Sequence, residues 1–285
     1  MRVYIADAFA DSPFGGNPAG VAYLDKEQSF PDEAFMKRLA AELKHSETAF
    51  ILPLSKNRFH IRYFTPTDEV DLCGHATIAS FCVLKSLQLT DGTPCTAVTK
   101  AGELDITFEG DTVLMSMAPA KDIRDFSDEE AAEFYEAFGL TANDCFIGMP
   151  PKAVSTGLPD IMLSVKDKTV LSQLKPDFKK IAALSKHYDV VGFHVFTPSD
   201  SSEVTAYCRN FAPLYGIDEE AATGTSNGAL THYLNSHGRI LPKAINTFVQ
   251  GEAMGRPSVI QSCLKDNRIY IGGTAVILLG GEFCF

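Results

Sequence analysis

Apolar and polar positions alternate with a period of two over residues 2–7 and 19–24, which predicts two strands flanking a glycine-rich loop from Asp7 to Gly20. The period then changes. Pro31-Asp-Glu opens a helix with acidic residues in its first turn, and Phe35, Met36, Leu39, Ala40 and Leu43 form its apolar stripe. That helix ends near Lys44-His45, and Ser46-Glu47-Thr48 leads into an apolar strand over 49–52. A strand over 58–64 stops at Pro66. Residues 75–87 are apolar on nearly every side, the mark of a helix buried all round. Strands at 103–109 and 112–117 form a hairpin across Gly110-Asp111. Beyond them, Ala118-Pro119-Ala120 and a charged stretch from Lys121 to Glu130 read as a domain boundary. Ser127 and Glu130 have capping-box spacing for a helix ending at Gly139. The second half predicts strands at 160–165, 190–197, 203–209, 246–250, 257–262, 267–272 and 274–279, with helices near 177–187 and 225–236.

The two halves echo each other. Arg62-Tyr-Phe-Thr-Pro66 precedes Asp71-Leu-Cys-Gly-His-Ala-Thr77 and a helix. Arg209-Asn-Phe-Ala-Pro213 precedes Glu219-Glu-Ala-Ala-Thr-Gly224-Thr225 and a second helix with small residues at its start. The repeat implies a duplicated unit: domains over 1–117 and 118–285, related by a pseudo-twofold axis, with the last strand able to cross back to the first domain. Short strands wrapping one central helix per half fit this rhythm better than a doubly wound sheet, which needs helices after most strands. Such an arrangement would aim two helix N-termini, at Gly74-His75 and Gly224-Thr225, toward one cleft. Free N–H groups and the positive end of the helix dipole there favour a carboxylate.

Composition narrows the function classes. The chain has 285 residues, 45% of them hydrophobic and 21% charged, as a globular protein does. A formal charge of −11 without any Lys/Arg cluster argues against nucleic acid. No apolar run is long enough to span a bilayer. Met1-Arg-Val-Tyr runs directly into a strand without a leader, so a cytoplasmic location is expected. Seven scattered cysteines without a CxxC pair suit neither a disulfide framework nor a zinc ribbon, and the seven histidines show no HExxH or other ligand spacing. No metal site is therefore expected. The loop before Asn17-Pro18 lacks the Gly-Lys-Ser/Thr ending of a phosphate loop and the GxGxxG spacing of a dinucleotide fingerprint. Gly224-Thr-Ser-Asn-Gly228 only approximates a serine-nucleophile elbow, and His232 and His237 follow too soon on the same helix to serve it.

Acid–base chemistry on a small anion remains. Glu47, His75 and Glu220 are the titratable candidates. Burial beside residues 49–52 would raise the Glu47 pKa and suit it to carry a proton back and forth. The helix dipole would lower the His75 pKa and leave a neutral hydrogen-bond donor, or a modest acid if Glu220 lies close. The bland reading of Glu47 is a solvated junction carboxylate.

These residues carry a family likeness. Asp7-Ala-Phe with Gly16-Asn-Pro-Ala-Gly20, Ser46-Glu-Thr48, Asp71-Leu-Cys-Gly-His-Ala-Thr77 and Ala222-Thr-Gly-Thr-Ser226 resemble, in order and across nearly the whole chain, the PhzF family of phenazine-biosynthesis-like isomerases. The resemblance implies the diaminopimelate epimerase fold, a mixed α/β architecture of two similar domains, each a sheet curled around a central helix. It implies no metal or organic cofactor, a small carboxylate-bearing metabolite as substrate, and a homodimer. In the phenazine enzyme a glutamate moves a proton between two carbons of trans-2,3-dihydro-3-hydroxyanthranilate, and the matching residue is Glu47. The family histidine falls on His75 and the family serine on Thr225, with Asn17, Ser46, Gly74 and Gly224 in the binding set. Two departures stand out. Glu220 replaces an aspartate, keeping the charge on a longer arm, which argues against the phenazine precursor itself. Cys73 resembles the first of the epimerase's two cysteines, but Thr223 holds the position of the second. The expected function is a cofactor-independent isomerase using Glu47 as acid and base. An amino-acid racemase or epimerase on the same fold, and a metabolite-binding protein that has lost catalysis, are its alternatives.

Overall fold

The computed structural model describes residues 1–240 and 242–284, and the chain divides into two units, Met1–Ser116 with Gly272–Phe285, and Met117–Ile271. The first unit opens with β1 (Arg2–Ala8), β2 (Asn17–Tyr23), α1 (Glu33–Leu43), β3 (Thr48–Ser55), β4 (Arg58–Phe64) and β5 (Glu69–Val70). It continues with α2 (Gly74–Ser86), β6 (Cys95–Thr99), β7 (Gly102–Glu109) and β8 (Thr112–Ser116). β1 and β2 are antiparallel, β2 and β3 parallel across α1, and β3 and β4 antiparallel. β4 runs parallel to β6 across α2, and β6–β7–β8 close as an antiparallel meander. The parallel pairs need a crossover, which each helix supplies.

The all-round apolar helix of the sequence is α2. It packs against β1, β2, β3 and β8, and His75 through Phe81 are all buried. Phe81 meets Phe59 of β4 edge to face with centroids 5.7 Å apart. Helix α1 instead buries one stripe: Met36, Leu39 and Ala40 pack with Ala22, Leu24, Phe50 and Phe64. It begins at Glu33 because the Asp32 side chain accepts from Phe35 N–H, so Pro31 stays outside.

The second unit holds β9 (Lys121–Asp125), α3 (Asp128–Ala137), β10 (Lys152–Ser155), β11 (Pro159–Ser164), α4 (Lys168–Ser172), α5 (Phe178–Tyr188) and β12 (Gly192–Pro198). β13 (Ala206–Ala212), β14 (Ile217–Glu220), α6 (Gly224–Ser236), β15 (Ile245–Gln250), β16 (Ser258–Lys265) and β17 (Arg268–Gly273) follow. Its core joins Phe134, Phe138, Ile181, Leu184, Phe193 and Phe211. Again a parallel pair, β11 and β12, precedes an antiparallel one, β12 and β13, and β13 runs parallel to β15 across a buried helix, α6. The order of pairings from β2 to β7 is thus repeated from β11 to β16. The final strand, β18 (Ala275–Glu282), pairs antiparallel with β1 and packs on α2 within the first unit.

The duplication extends to side chains. Arg62 grips Glu69 through Nε and Nη2 at 2.8 and 2.9 Å, and Arg209 grips Glu219 through the same atoms, both at 2.8 Å. The charged stretch 121–130 carries β9 and the start of α3, whose capping box at Ser127 and Glu130 forms as the spacing suggests. All five residues of β9 are exposed, so no alternation marks it as a strand. The strand expected at 203–209 lies at 206–212. Among the described residues no helix is long and apolar enough to cross a membrane, and all seven cysteines are free thiols.

Candidate active site

Three backbone features bring one cluster together in the first unit. Gly16 has φ of +59°, and a Cβ there would lie 2.1 Å from Ala8 O, so only glycine makes the turn that delivers Asn17 to the start of β2. The Gly20 N–H donates to Glu47 O at 3.1 Å, extending the β2–β3 pairing by one residue and fixing Glu47 at its edge. Cys73 is the N-cap of α2 and supplies no side-chain cap, and His75 sits in the first turn. That turn is anchored by Tyr63, whose hydroxyl lies 2.6 Å from Thr77 Oγ1, while Thr77 Oγ1 donates to Cys73 O at 2.7 Å.

Around the His75 ring the contacts are close. Nε2 lies 3.3 Å from Glu47 Oε2, 3.4 Å from Ser46 Oγ and 3.7 Å from Cys73 Sγ. Nδ1 lies 3.3 Å from the Asn17 carboxamide and 3.5 Å from Cys73 Sγ. His75 and Cys73 are buried and Glu47 is nearly so. The sequence-derived set Asn17, Ser46, Glu47, Gly74 and His75 is therefore one cluster, and Cys73, which resembles the epimerase's first cysteine, lies in it against the His75 ring.

The charges differ from those expected. Burial pushes the Glu47 carboxyl up, but hydrogen bonding and attraction from His75, with help from Ser46 and Cys73, outweigh it and leave its pKa below the usual value. Burial likewise pushes His75 down, yet Cys73 and Glu47 against the ring carry it well above the ordinary imidazole range. Both expectations, a raised glutamate and a lowered histidine, are thus reversed, because each residue is the other's close partner and that contact outweighs burial and dipole. Both directions favour the carboxylate beside a protonated imidazole. The Asn17 carboxamide nitrogen is the atom that faces Nδ1. The Cys73 thiol is pushed up by burial and by Glu47, and His75 opposes that rise.

This arrangement presents a proton donor beside a partly buried carboxylate, within reach of one bound molecule. Donor atoms of Glu47, Cys73 and His75 all lie within 4.8 Å of one another. They do not fit a metal ion, because Cys73 Sγ, 3.5 Å from Nδ1 and 3.7 Å from Nε2, stands across the ring, away from the lone pair that faces Glu47.

In the second unit the predicted residues occupy the β14–α6 turn. The Glu220 carboxylate accepts from the Thr223 hydroxyl at 3.2 Å, and Glu220 O accepts from Gln250 Nε2 at 2.7 Å. Gly224 and Thr225 begin α6, whose N-cap, Thr223, makes no side-chain cap. Thr156 Oγ1 donates to Thr225 O at 2.9 Å. Behind this turn lies a buried polar network that the sequence reading missed. Ser226 Oγ donates to Asp160, Asn210 Nδ2 donates to Ser226 Oγ at 3.1 Å, and Asn210 Nδ2 lies 3.2 Å from His194 Nδ1. Asn227 Nδ2 donates to Gln250 Oε1 at 2.9 Å. Burial raises Asp160 to about 6 and lowers His194 to about 3. The motif around Arg209 contains Asn210, and the small-residue start of the helix contains Ser226 and Asn227, but nothing in the sequence pointed to Asp160, His194 or Gln250 as their partners.

Comparison with known proteins places these residues in context. The family model for phenazine biosynthesis-like protein, PhzC-PhzF, matches residues 6–281. The uncharacterized isomerase YddE of Escherichia coli is 34% identical over 295 residues, covering 99% of this chain and 98% of that protein. An uncharacterized isomerase of Deinococcus radiodurans is 37% identical over 284 residues, covering 95% and 90%. The crystal structure of a Bacillus anthracis phenazine biosynthesis protein of the PhzF family superposes with a TM-score of 0.86 at 27% identity, covering 100% of this chain and 99% of that one.

Proposed function

The chain belongs to the phenazine biosynthesis-like PhzC-PhzF family and is an isomerase, and from that premise we propose that Glu47 moves a proton on a small carboxylate-bearing metabolite. The observation that carries this reading is the 3.3 Å contact between the partly buried Glu47 carboxylate and the buried His75 ring. Ionised Glu47 takes a proton from a substrate carbon; the C–H electron pair stays on the substrate as a delocalised anion. The His75 imidazolium, charged and adjacent, stabilises that anion as it forms. Glu47, now a carboxylic acid, returns the proton to a different carbon, and the double bond shifts. A base with a lowered pKa is weak in the resting enzyme, so the stabilising imidazolium is as necessary to the step as the carboxylate.

The first turn of α2, at Gly74 and His75, offers N–H groups and the helix dipole to the substrate carboxylate. Ser46 and Asn17 hold the His75 ring. Gly224 and Thr225 begin α6 as Gly74 and His75 begin α2, and the Glu220 carboxylate stands at the turn before it. Glu47→Gln is expected to abolish deuterium uptake from D₂O into the substrate while leaving binding within a few-fold. Full exchange by that variant removes Glu47 from the role.

One observation favours a second reading. Cys73 contacts both His75 nitrogens and helps hold the Glu47 carboxyl low, as a second acid–base group of a racemase or epimerase would. Cys73→Ala separates the two, since only the racemase reading loses activity outright. The raised thiol pKa supports the single-glutamate reading, because a protonated thiol is a poor base.

A further inference from the structure

We propose that Phe14 is a specificity-determining residue of this site: its ring covers the substrate bound at Glu47 and His75, and favours a carboxylate carried on a flat, unsaturated carbon frame. The assignment rests on the proton-transfer reading above, which fails by a different readout.

The topology brings the loop of Phe14 to the site. Residues 9–16 connect β1 to β2, and Ala8 faces Asn17 across the antiparallel pair that closes the loop. β2 runs parallel to β3, and Gly20 N–H donates to Glu47 O, so the start of β2 lies beside the start of β3. The loop therefore stands at the end of the sheet where Glu47 sits. Asn17, the first residue after the loop, reaches the His75 ring. Phe14 precedes it by three residues, a chain length of at most about 11 Å. The Glu47 side chain is 19% exposed, so the cluster opens to solvent on one side.

Folding alone does not account for this ring. Phe14 is 72% exposed, and its φ of +69° is a left-handed conformation that bulky side chains rarely adopt. Its N–H donates at 2.8 Å to Oδ2 of Asp7, a fully buried side chain. The rest of the loop is tied down as well. Thr274 Oγ1 lies 2.9 Å from Ala10 O and 2.7 Å from Asp11 Oδ1, and Gly16 admits no side chain. A lone exposed aromatic is ordinary. One fixed in a strained backbone by a buried acid, beside a proton-transfer site, is the kind of strain that ligand contacts retain.

The ring's chemistry selects the ligand. A phenyl face packs on apolar or conjugated carbon and offers no hydrogen bond to an amine or hydroxyl. The anion formed when Glu47 removes a proton is flat and conjugated, and a ring over it also keeps water out. A small aliphatic carboxylate reaches His75 and the α2 turn but leaves the Phe14 ring bare.

The chain contains no tryptophan, so Phe14→Trp carries a single reporter. Benzoate, a flat carboxylate, is expected to change its emission saturably, over the concentrations that move the His75 ring resonances of the unaltered protein. Ile147→Trp, at an exposed position of the second unit, should not respond. Phe14→Ala should weaken benzoate at least about tenfold and acetate less than about twofold in calorimetric titration, while Phe14→Tyr keeps the affinity for both. Benzoate that moves His75 without the reporter, or binds Phe14→Ala undiminished, overturns the role of Phe14 and leaves Glu47 standing as proton carrier. Benzoate that binds the unaltered protein no tighter than acetate overturns the preference for a flat frame. Failure of the Glu47 role shows instead as full proton exchange by Glu47→Gln, which the reporter does not read.

Discussion

Glu47 and His75 each set the other's charge, and that coupling has a pH signature. A carboxyl held below its ordinary value of 4.5 adds stability above that pH, lost as the pH falls through the folded value. An imidazole held above its ordinary 6.5 adds stability below that pH, lost as the pH rises through its folded value. Both contributions are whole only between about pH 4.5 and 6.5. The melting-temperature gap between the unaltered protein and Glu47→Gln should therefore be widest near pH 5.5 and narrow on either side, measured by calorimetry in buffers from pH 4 to 8. A gap that does not vary with pH would mean that no ion pair exists. At this scale the sequence was informative about membership of the cluster and misleading about its charges. Motif order named Glu47 and His75, but a pKa follows from what stands across the ring, and the 3.3 Å contact joins residues 28 positions apart.

Helix α6 shows the same logic at the scale of one element. Its first turn is held from behind by Ser226, Asn227 and Gln250, and Ser226 in turn donates to a fully buried Asp160. Asp160 and Gly192 face each other on the parallel β11–β12 pair, as Gly20 and Thr48 do on β2–β3. Each pair carries one glycine, but on opposite strands. Where the first unit places a hydroxyl, the second makes room for a carboxyl. Gly192 has no alternative, since a Cβ there would lie 1.9 Å from Phe211 O. Burial holds Asp160 near 6 against an ordinary 3.8, so the folded state binds the proton more tightly than the unfolded chain. Ionisation therefore costs nothing at pH 3 and on the order of 3 kcal/mol above pH 7. Asp160→Asn should match the unaltered protein at pH 4 and exceed its stability increasingly toward pH 8, read by urea titration. An offset independent of pH would show that burial does not govern this carboxyl. No periodicity could announce the network, because a buried Asp in a strand of apolar neighbours looks like any alternation break. Helix α2 was legible for the opposite reason: its apolar residues surround the axis, which only a central position explains.

At the scale of the molecule, the two units differ in how the chain closes them. The second is one continuous segment, Met117–Ile271, whereas the first waits for Gly272–Phe285 to supply β18 beside β1. β18 packs on α2 as well, so the helix carrying His75 is not fully covered until the last strand arrives. The repeated Arg-x-Phe-x-Pro motif made the duplication readable, but not this closure, because a pairing between residues 2–8 and 275–282 leaves no local trace. Bringing such distant segments together costs loop-closure entropy before any contact repays it, and non-local sheets form slowly for that reason. Refolding should thus protect the amides of β11, β12 and β13 before those of β1 and β2 in pulsed hydrogen exchange, with catalytic proton exchange returning only in the later phase. Deleting residues 275–285 should leave the second unit's protection intact and abolish that of α2 and β1. Early protection of β1, or a truncated protein that still exchanges substrate protons, would show that β18 is not what completes the site-bearing unit.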